Sequence, residues 1–469
     1  MLPGPICVSL TPRRVEEIFS ADIDGADCVE ARLDYLEKPE ESTRTRWDSL
    51  KVPLIATCRG RDRGGMFDGC IDDELRILDR AVDNGARFVD VDFRFARPFS
   101  GAGVIGSFHS FEETPRDLEK LMEVICQSPV SVAKVATMVR SWEDNRRLLE
   151  LLGKPWPKPV VVVGMGEMGQ LTRIVGPLRG SVLTYASAGR VSAPGQLSLE
   201  EVKKTYRLDK LSRTTRLIGV VGNPVGYSRS PDLHNRAFES LGLDCVYLKF
   251  PVKDLDDFLA NADGIGIEGF SVTIPHKVEI ASRLPQLTAE AKQTGAVNTV
   301  FRQNGQWAGD NTDVYGIRQA LAGININGQK VVILGTGGAA RAAVAALEEA
   351  ASITLLSRRA KPGTYTWSRK VRIDRLDRIA DYKCNLLINA TPVGMAPDLD
   401  RCPVDGAIAA DIVFDMVYNP VETKLLRAAA KQGKRTISGM EMFLAQAARQ
   451  FQIWTGRPAP KMVFGEELS

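Results

Sequence analysis

Residues 330–350 read KVVILGTGGAARAAVAALEEA: an apolar run, a glycine turn at Gly335, Gly337 and Gly338, then an alanine-rich stretch with helical composition. A β-branched run that feeds a glycine turn and a helix sets backbone N–H groups and a helix N-terminus where a pyrophosphate can sit. The stretch therefore predicts a dinucleotide-binding α/β lobe. A glycine fingerprint alone is weak, but a second strand, SITLLS, ends about 20 residues later, where NAD enzymes place an acid for the ribose hydroxyls. Here the chain has Ser357, Arg358 and Arg359 instead. Guanidinium forks suit a phosphate on the ribose, so NADP (NADPH) is the cofactor expected, whereas arginines that merely face solvent would leave the choice open.

The chain around this stretch is 469 residues long, more than one hydrophobic core usually organises, so two or three domains are expected. The net charge is only +3, which argues against nucleic acid as a partner. The opening MLPGPICVSLTPRR has no apolar run behind a basic end, and no stretch of about 18 apolar residues occurs, so neither a signal peptide nor a membrane span is expected. A cytoplasmic location follows as an expectation. Eight cysteines are scattered without CxxC or Cys/His clustering, a pattern of reduced thiols that calls for no disulfide and no metal.

Before residue 190 the grammar differs. Eight short apolar runs, ICVSL, CVEARLD, LIATCR, FVDVDF, VIGSFH, VSVAKVA, VVVVGM and VLTYAS, alternate with helix-like segments, the number that closes a (β/α)8 barrel. Ser198 to Glu201 then reads as a capping box, and the polar LDKLSRTT after it as a linker, before the chain restarts with LIGVVGN. Lys134 lies inside VSVAKVATM. A buried ammonium needs a partner or sheds its proton, and a deprotonated lysine is a nucleophile for ketones; alone, Lys134 also reads as a side chain snorkelling from a strand end. Glu30, Arg32, Arg59, Asp92 and His109 all fall towards the carboxyl ends of successive strands, where barrel enzymes build their sites.

These residues resemble the type I 3-dehydroquinate dehydratases over essentially the whole first half, through EARLDYL, FVDVDF, SFHSFEETP, AKVATM, GQLTR and SAPGQ. The resemblance implies that Lys134 forms an imine with the substrate ketone. His109 would shuttle the proton between the adjacent carbon and the departing hydroxyl, and 3-dehydroshikimate would be the product. Arg59 and Arg173 would hold the substrate carboxylate and hydroxyls, with Glu30, Arg32, Ser192 and Gln196 as further contacts. Where the family carries a glutamate that orients the histidine, this chain has Asp92, one methylene shorter. Arg63 stands where many members have an acid before two glycines, and no role is assigned to it.

Residues 216–465 resemble shikimate dehydrogenase from end to end, through GNPVGYSRSPDLHN, GFSVTIPHK, GAVNTV, GDNTDVYG, the glycine turn, NATPVGM, DMVYNP and GMEMFLAQAARQF. In isolation Lys277 reads as a solvated charge and Asp313 as a turn or cap residue. The resemblance makes them the catalytic pair, with Lys277 donating a proton to the carbonyl oxygen and Asp313 orienting it. Ser228, Ser230, Thr273, Asn298 and Gln446 would hold the substrate with Tyr418 nearby. Asn389, Thr391, Gly439 and Met442 would line the nicotinamide, and Ala339 and Arg341 the phosphate turn. Tyr227 replaces a histidine frequent in the family, and Ser271 resembles the plant-type fused enzymes.

The resulting expectation is α/β throughout. An N-terminal (β/α)8 TIM barrel (1–207) precedes a two-lobed dehydrogenase, with an α/β substrate lobe (216–317, joined by the C-terminal helix of 439–465) and a Rossmann NADP-binding lobe (318–438). Its substrates would be 3-dehydroquinate, 3-dehydroshikimate and shikimate, with no nucleic acid or membrane partner and the oligomeric state left open. A quinate/shikimate dehydrogenase in the second half and a non-catalytic ligand-sensing regulator are the alternatives.

Overall fold

The structure, a computed structural model, describes residues 4–360 and 371–465; residues 361–370 of the expected nucleotide lobe lie outside the described residues. Compactness divides the chain into two units, Met1–Leu217 with Asp244–Ile267, and Ile218–Leu243 with Glu268–Ser469.

In the first unit the eight apolar runs form eight strands: β1 (Ile6–Leu10), β2 (Cys28–Arg32), β3 (Leu54–Thr57), β4 (Phe88–Asp92), β5 (Gly103–Ser110), β6 (Val132–Met138), β7 (Val160–Met165) and β8 (Thr184–Ser187). They run parallel in the order β7-β6-β5-β4-β3-β2-β1-β8, with the short β9 (Leu197–Ser198) beyond β8. Parallel strands covered on both sides need apolar residues on both faces, and β1, β2 and β3 are buried along their whole lengths. Val182 N–H donates to the Val160 carbonyl at 2.9 Å just ahead of β8, linking the two ends of the sheet.

The helical cover is uneven. Only 3-10 turns follow β2 and β4, whereas full helices follow β3, β5, β6 and β7. Ser198 and Glu201 make the reciprocal capping box, Glu201 N–H to Ser198 Oγ at 3.1 Å and Ser198 N–H to Glu201 Oε2 at 2.9 Å, but the turn that it opens, Glu201–Thr205, is a π-helix.

Asp244–Ile267 carries β11 (Cys245–Pro251; β10 being Arg216–Gly222) and the helix Leu255–Ile265, and it groups with the barrel. Trp142, at the start of the helix Trp142–Leu152, packs edge-on against Phe250 and Phe258, with ring centroids 5.7 and 5.0 Å away. Asp257 accepts from the Trp142 N–H at 2.6 Å, so the orphan donors of that helix are capped from 115 residues away.

The second unit contains a mixed sheet ordered β10-β12-β14-β15-β13 (β12 Ile267–Val272, β13 Gln286–Leu287, β14 Thr299–Gln303, β15 Gln306–Asp310). The β14–β15 hairpin turns on Asn304 (φ 52) and Gly305 (φ 78), the left-handed pair that suits strand twist. A second, fully parallel sheet is ordered β18-β17-β16-β19-β20-β21 (β16 Lys330–Leu334, β17 Ser352–Ser357, β18 Val371–Arg375, β19 Cys384–Asn389, β20 Ala410–Asp415, β21 Arg435–Ile437). Counted from β16, this is the doubly wound order 3-2-1-4-5-6, whose switch point lies between β16 and β19, beside the glycine turn. The helix Gly439–Thr455 returns to the mixed sheet, where Trp454 Nε1 donates to the Val300 carbonyl at 3.0 Å and Gln450 Nε2 to the Asn298 carbonyl at 3.2 Å. No helix among the described residues is long and apolar enough to cross a membrane.

Candidate active sites

Strand side chains alternate, so residues two apart share a face. In the first unit this alternation brings Asp90 (β4), Ser107 and His109 (β5) and Lys134 (β6) together with Arg59, just after β3. Lys134 Nζ donates to Asp90 Oδ2 at 2.7 Å, Arg59 Nη2 donates to Asp90 Oδ1 at 2.8 Å, and Arg59 Nη1 lies 3.0 Å from His109 Nε2. Ser107 Oγ also donates to Asp90 Oδ1, at 2.7 Å. Burial works against the Asp90 carboxylate, but the Lys134 and Arg59 cations outweigh it and hold it below the usual carboxylate range. The buried lysine is thus compensated by a carboxylate rather than left alone in an apolar strand.

Burial, then the Arg59 and Lys134 cations, push His109 well below the ordinary imidazole value. Arginine has only donors, so Arg59 faces the lone pair of a neutral ring at Nε2, and the ring proton falls on Nδ1. Neutral imidazole is the form a general base needs.

Glu30 accepts from Ser9 Oγ at 2.6 Å and from Thr57 Oγ1 at 2.9 Å, and Arg32 forks onto Asp34 at 3.0 and 2.8 Å. Arg173 is 2% exposed and, among the described residues, bonds only carbonyls, Tyr185 O at 3.1 Å and Pro194 O at 3.4 Å. Burial lowers it to about 10. A buried guanidinium with no carboxylate is a receptor for an anion. Ser192 Oγ reaches Ser9 Oγ and Gln196 Oε1, both at 3.0 Å.

Asp92 is placed differently from its expected role. Its carboxylate takes the backbone N–H, Nε and Nη2 of Arg94 at 3.0, 2.9 and 2.7 Å, and the carboxylate that faces the Arg59–His109 pair is Asp90, two residues earlier. The pleat puts both aspartates on one face, but only Asp90 lies deep enough, at 1% exposure, to meet Lys134. Arg63 pairs with the buried Glu74 and stacks over Phe95. Asp90, Ser9, Thr57, Ser107 and Asp34 were not singled out from the sequence. For Asp90 the signal was present, since an aspartate in an apolar strand raises the same question as Lys134.

In the second unit Lys277 Nζ donates to Asp313 Oδ2 at 2.6 Å, and Asn298 Nδ2 donates to Asp313 Oδ1 at 2.8 Å. Asp313 lies in the first turn of the helix Thr312–Ala320, where the helix dipole favours a carboxylate. Gln446 on the last helix joins through Asn298, at 3.4 Å. The Tyr418 ring stacks on Phe443 with centroids 4.1 Å apart; burial raises its phenol, against a hydrogen bond with Ser228. Ser230 N–H donates to Ser228 Oγ at 3.3 Å, and the Thr273 methyl lies over Gly222, where an added Cβ would come within 2.4 Å of it. Tyr227 is 55% exposed.

At the glycine turn Gly335 has φ +107, and Gly337, capping the helix Gly338–Ala346, has open space where a Cβ would stand. A Cβ on Gly338 would come within 2.8 Å of Lys277 Cβ, so the glycine lets the turn approach that lysine. Ala339 follows in the same helix, and Arg341 Nη1 donates to the Gly295 carbonyl at 3.3 Å. Ser357 ends β17, with Arg358 and Arg359 exposed after it. Asn389 ends β19 and ties Thr391 Oγ1 at 2.7 Å to the buried Asp415 at 2.9 Å. Burial pushes Asp415 up to about 6, against bonds from Thr423, Val417 and Asn389. Gly439 packs against the Met416 and Val417 carbonyls, where no Cβ fits, and Met442 is buried with residues of the fully parallel sheet.

Three family descriptions match the chain: Type I 3-dehydroquinase over residues 6–213, Shikimate dehydrogenase substrate binding domain over 220–300, and Shikimate 5'-dehydrogenase C-terminal domain over 439–463. The chloroplastic bifunctional 3-dehydroquinate dehydratase/shikimate dehydrogenase of Arabidopsis thaliana is 32% identical over 513 residues, covering 100% of this chain and 84% of that protein. The chain belongs to the bifunctional 3-dehydroquinate dehydratase/shikimate dehydrogenase family. Its second half is similar to the shikimate dehydrogenase (NADP(+)) of Microcystis aeruginosa, 40% identical over 275 residues, which are 54% of this chain and 96% of that protein. The crystal structure of shikimate dehydrogenase 1 from Peptoclostridium difficile covers 54% of this chain and 97% of its own, at 32% identity and a TM-score of 0.51. As a member of this family the chain is a two-activity enzyme, a 3-dehydroquinate dehydratase and an NADP-dependent shikimate dehydrogenase.

Proposed function

We propose that residues 1–207 dehydrate 3-dehydroquinate through an imine on Lys134, and that 216–465 reduce the resulting 3-dehydroshikimate to shikimate with Lys277 and Asp313. Residues 318–438 hold the dinucleotide, and 216–317 with 439–465 hold the substrate. The observation that carries this reading is one lysine in each unit held on a buried aspartate, at 2.7 and 2.6 Å.

In the first site the Lys134 ammonium and the ketone condense to a protonated imine and one water. His109 takes the proton on the adjacent carbon; the electron pair moves to nitrogen, then returns to expel the hydroxyl, which leaves as water with the proton from His109. Water hydrolyses the imine and restores Lys134. Asp90 holds the lysine and Arg59, Arg173 takes the substrate carboxylate, and Glu30, Arg32, Ser192 and Gln196 take hydroxyls. Asp92 acts on this site only through Arg94 and the end of β4.

In the second site Lys277 gives its proton to the carbonyl oxygen, and Asp313, fixed by Asn298, orients that lysine and a substrate hydroxyl. Ser228, Ser230, Thr273, Tyr418 and Gln446 complete the substrate cradle. NADPH, when bound, supplies the hydride. The open space at Gly337 and the φ of Gly335 fit its pyrophosphate, Asn389, Thr391, Gly439 and Met442 its nicotinamide end, and Ser357, Arg358 and Arg359 its ribose phosphate. Eight free cysteines fit a reducing compartment, and we place the enzyme in the cytoplasm.

The test is to supply 3-dehydroquinate to purified protein, follow the conjugated enone by absorbance, then add NADPH and follow its oxidation. Two signals in sequence are expected; absence of either removes the corresponding half of the proposal. Replacing Arg358 and Arg359 together by glutamate is expected to raise the KM for NADPH about 10- to 100-fold while leaving NADH nearly unchanged, from the loss of charge-assisted bonds. Equal changes for the two cofactors would remove the arginines from the ribose site.

The neutral form of His109 has its own test, because the chain has only three histidines. Burial and two neighbouring cations favour the uncharged ring, so its protonation midpoint moves to lower pH. In an NMR titration of labelled histidine, the signal lost in His109→Asn is expected to stay neutral well below pH 6.5. A midpoint at or above 6.5 contradicts the placement.

A further inference from the structure

Tyr185 lies in β8, its Cα opposite Cys7 of β1, with 6% of its surface exposed. Lys134 Nζ stands 3.9 Å from the centroid of its ring, while Asp90 holds the same nitrogen at 2.7 Å. The phenol oxygen is buried and makes no hydrogen bond among the described residues. Burial, then Glu30, Asp90, Cys7 and Cys28, keep the phenol proton in place well above its ordinary range. The hydroxyl therefore keeps its proton, and the part of the residue that meets the reacting nitrogen is the ring face. A π face attracts a cation within about 6 Å of its centroid, and most strongly where water is excluded.

We infer that Tyr185 is a catalytic residue of the dehydratase site, its ring face stabilising the positive nitrogen that Lys134 carries as ammonium and again as protonated imine. The inference rests on the Schiff-base reading above. Condensation turns the ammonium and the ketone into a protonated imine and one water, so the charge is conserved, but amine and carbinolamine, both neutral at nitrogen, lie between the two cations. A face fixed on the nitrogen favours the protonated imine over those neutral species. The ring adds this stabilisation beside Asp90 without a second carboxylate, which would compete with the substrate for space around the nitrogen. The charged and titratable groups facing the pair are Asp90 from β4, Arg59 from the end of β3, His109 from β5, Glu30 and Cys28 from β2, Cys7 from β1 and Arg173 from the helix Gln170–Arg179, whose guanidinium donates to the Tyr185 carbonyl at 3.1 Å.

The test uses the full chain with 3-dehydroquinate and borohydride, reading the trapped imine by mass as pH is raised. The midpoint at which the trapped imine is lost reports the cation against its neutral competitors. Tyr185→Phe is expected to leave that midpoint within about 0.3 unit, since the ring is retained. Mono-, di- and trifluorophenylalanine at position 185 keep the volume while draining the π face, and should lower the midpoint stepwise by about one unit in all; Tyr185→Leu should match the end of the series. A midpoint that is flat across the fluorinated series overturns the role of the ring while leaving the Schiff base intact. If the unaltered enzyme traps no imine, the Schiff-base reading fails and this inference fails with it.

Discussion

Lys134→Ala is expected to lower dehydration of 3-dehydroquinate on the order of 10^4-fold or more and to leave reduction of 3-dehydroshikimate unchanged. Without the amine no imine forms, the ketone is a poor electron sink, and His109 has no acidified proton to take. The substitution also breaks a buried ion pair, which often costs stability, but here Asp90 keeps the Arg59 guanidinium at 2.8 Å and the Ser107 hydroxyl at 2.7 Å, so its charge is not orphaned. Lys134→Met, which retains most of the volume, should behave like the alanine variant. The enone absorbance gives the first activity and NADPH oxidation with supplied 3-dehydroshikimate the second. Dehydration within about a hundredfold of the unaltered enzyme would remove Lys134 from the covalent route.

Lys277→Ala is expected to do the reverse, cutting reduction by about 10^2- to 10^4-fold while dehydration persists. The proton reaching the carbonyl oxygen would then come from water, unplaced, and Asp313 would be left to orient the substrate hydroxyl alone. Asp313 keeps its bond from Asn298 at 2.8 Å and its place at a helix N-terminus, so the site should lose its proton donor without losing its shape. Steady-state rates separate the effects: a fall in kcat with KM for 3-dehydroshikimate within about threefold fits a proton donor, and a change confined to KM would make Lys277 a binding residue only. A ligand-sensing protein would have neither activity to lose.

The eight strands were legible because parallel strands buried on both faces must be continuous apolar runs, and the glycine turn because its neighbours restrict what else it can be. Lys134, His109, Lys277 and Asp313 were legible as types at positions. The Lys277–Asp313 contact at 2.6 Å is the pairing that the resemblance implied, whereas what Lys134 and His109 touch was not legible. FVDVDF offers two aspartates of the same parity, and only the depth of β4 in the sheet makes Asp90 the partner of Lys134 and leaves Asp92 to Arg94. Periodicity gives a face but no depth. The capping box at Ser198 was read correctly as a helix start, yet the hydrogen-bond period of the turn after it depends on packing, and it became a π-helix. The polar segment between β2 and β3 is where a barrel helix is missing, and its 3-10 turns carry no repeating apolar stripe that would have announced them.

The grouping of Asp244–Ile267 with the barrel bears on how such a fused gene can be taken apart. A cut in the linker after residue 207 divides the message cleanly but not the apolar surface. The upstream fragment would keep Trp142 and lose the two phenylalanine edges and the Asp257 cap that cover it; the downstream fragment would carry Phe250 and Phe258, both fully buried in the whole chain, without their indole. Expressed apart, each piece would bear a sticky aromatic scar, and its natural remedy would be to find the other. Once acquired, joint translation spares both pieces that search, so scission would be penalised in the folding of the fragments before any question of chemistry arose.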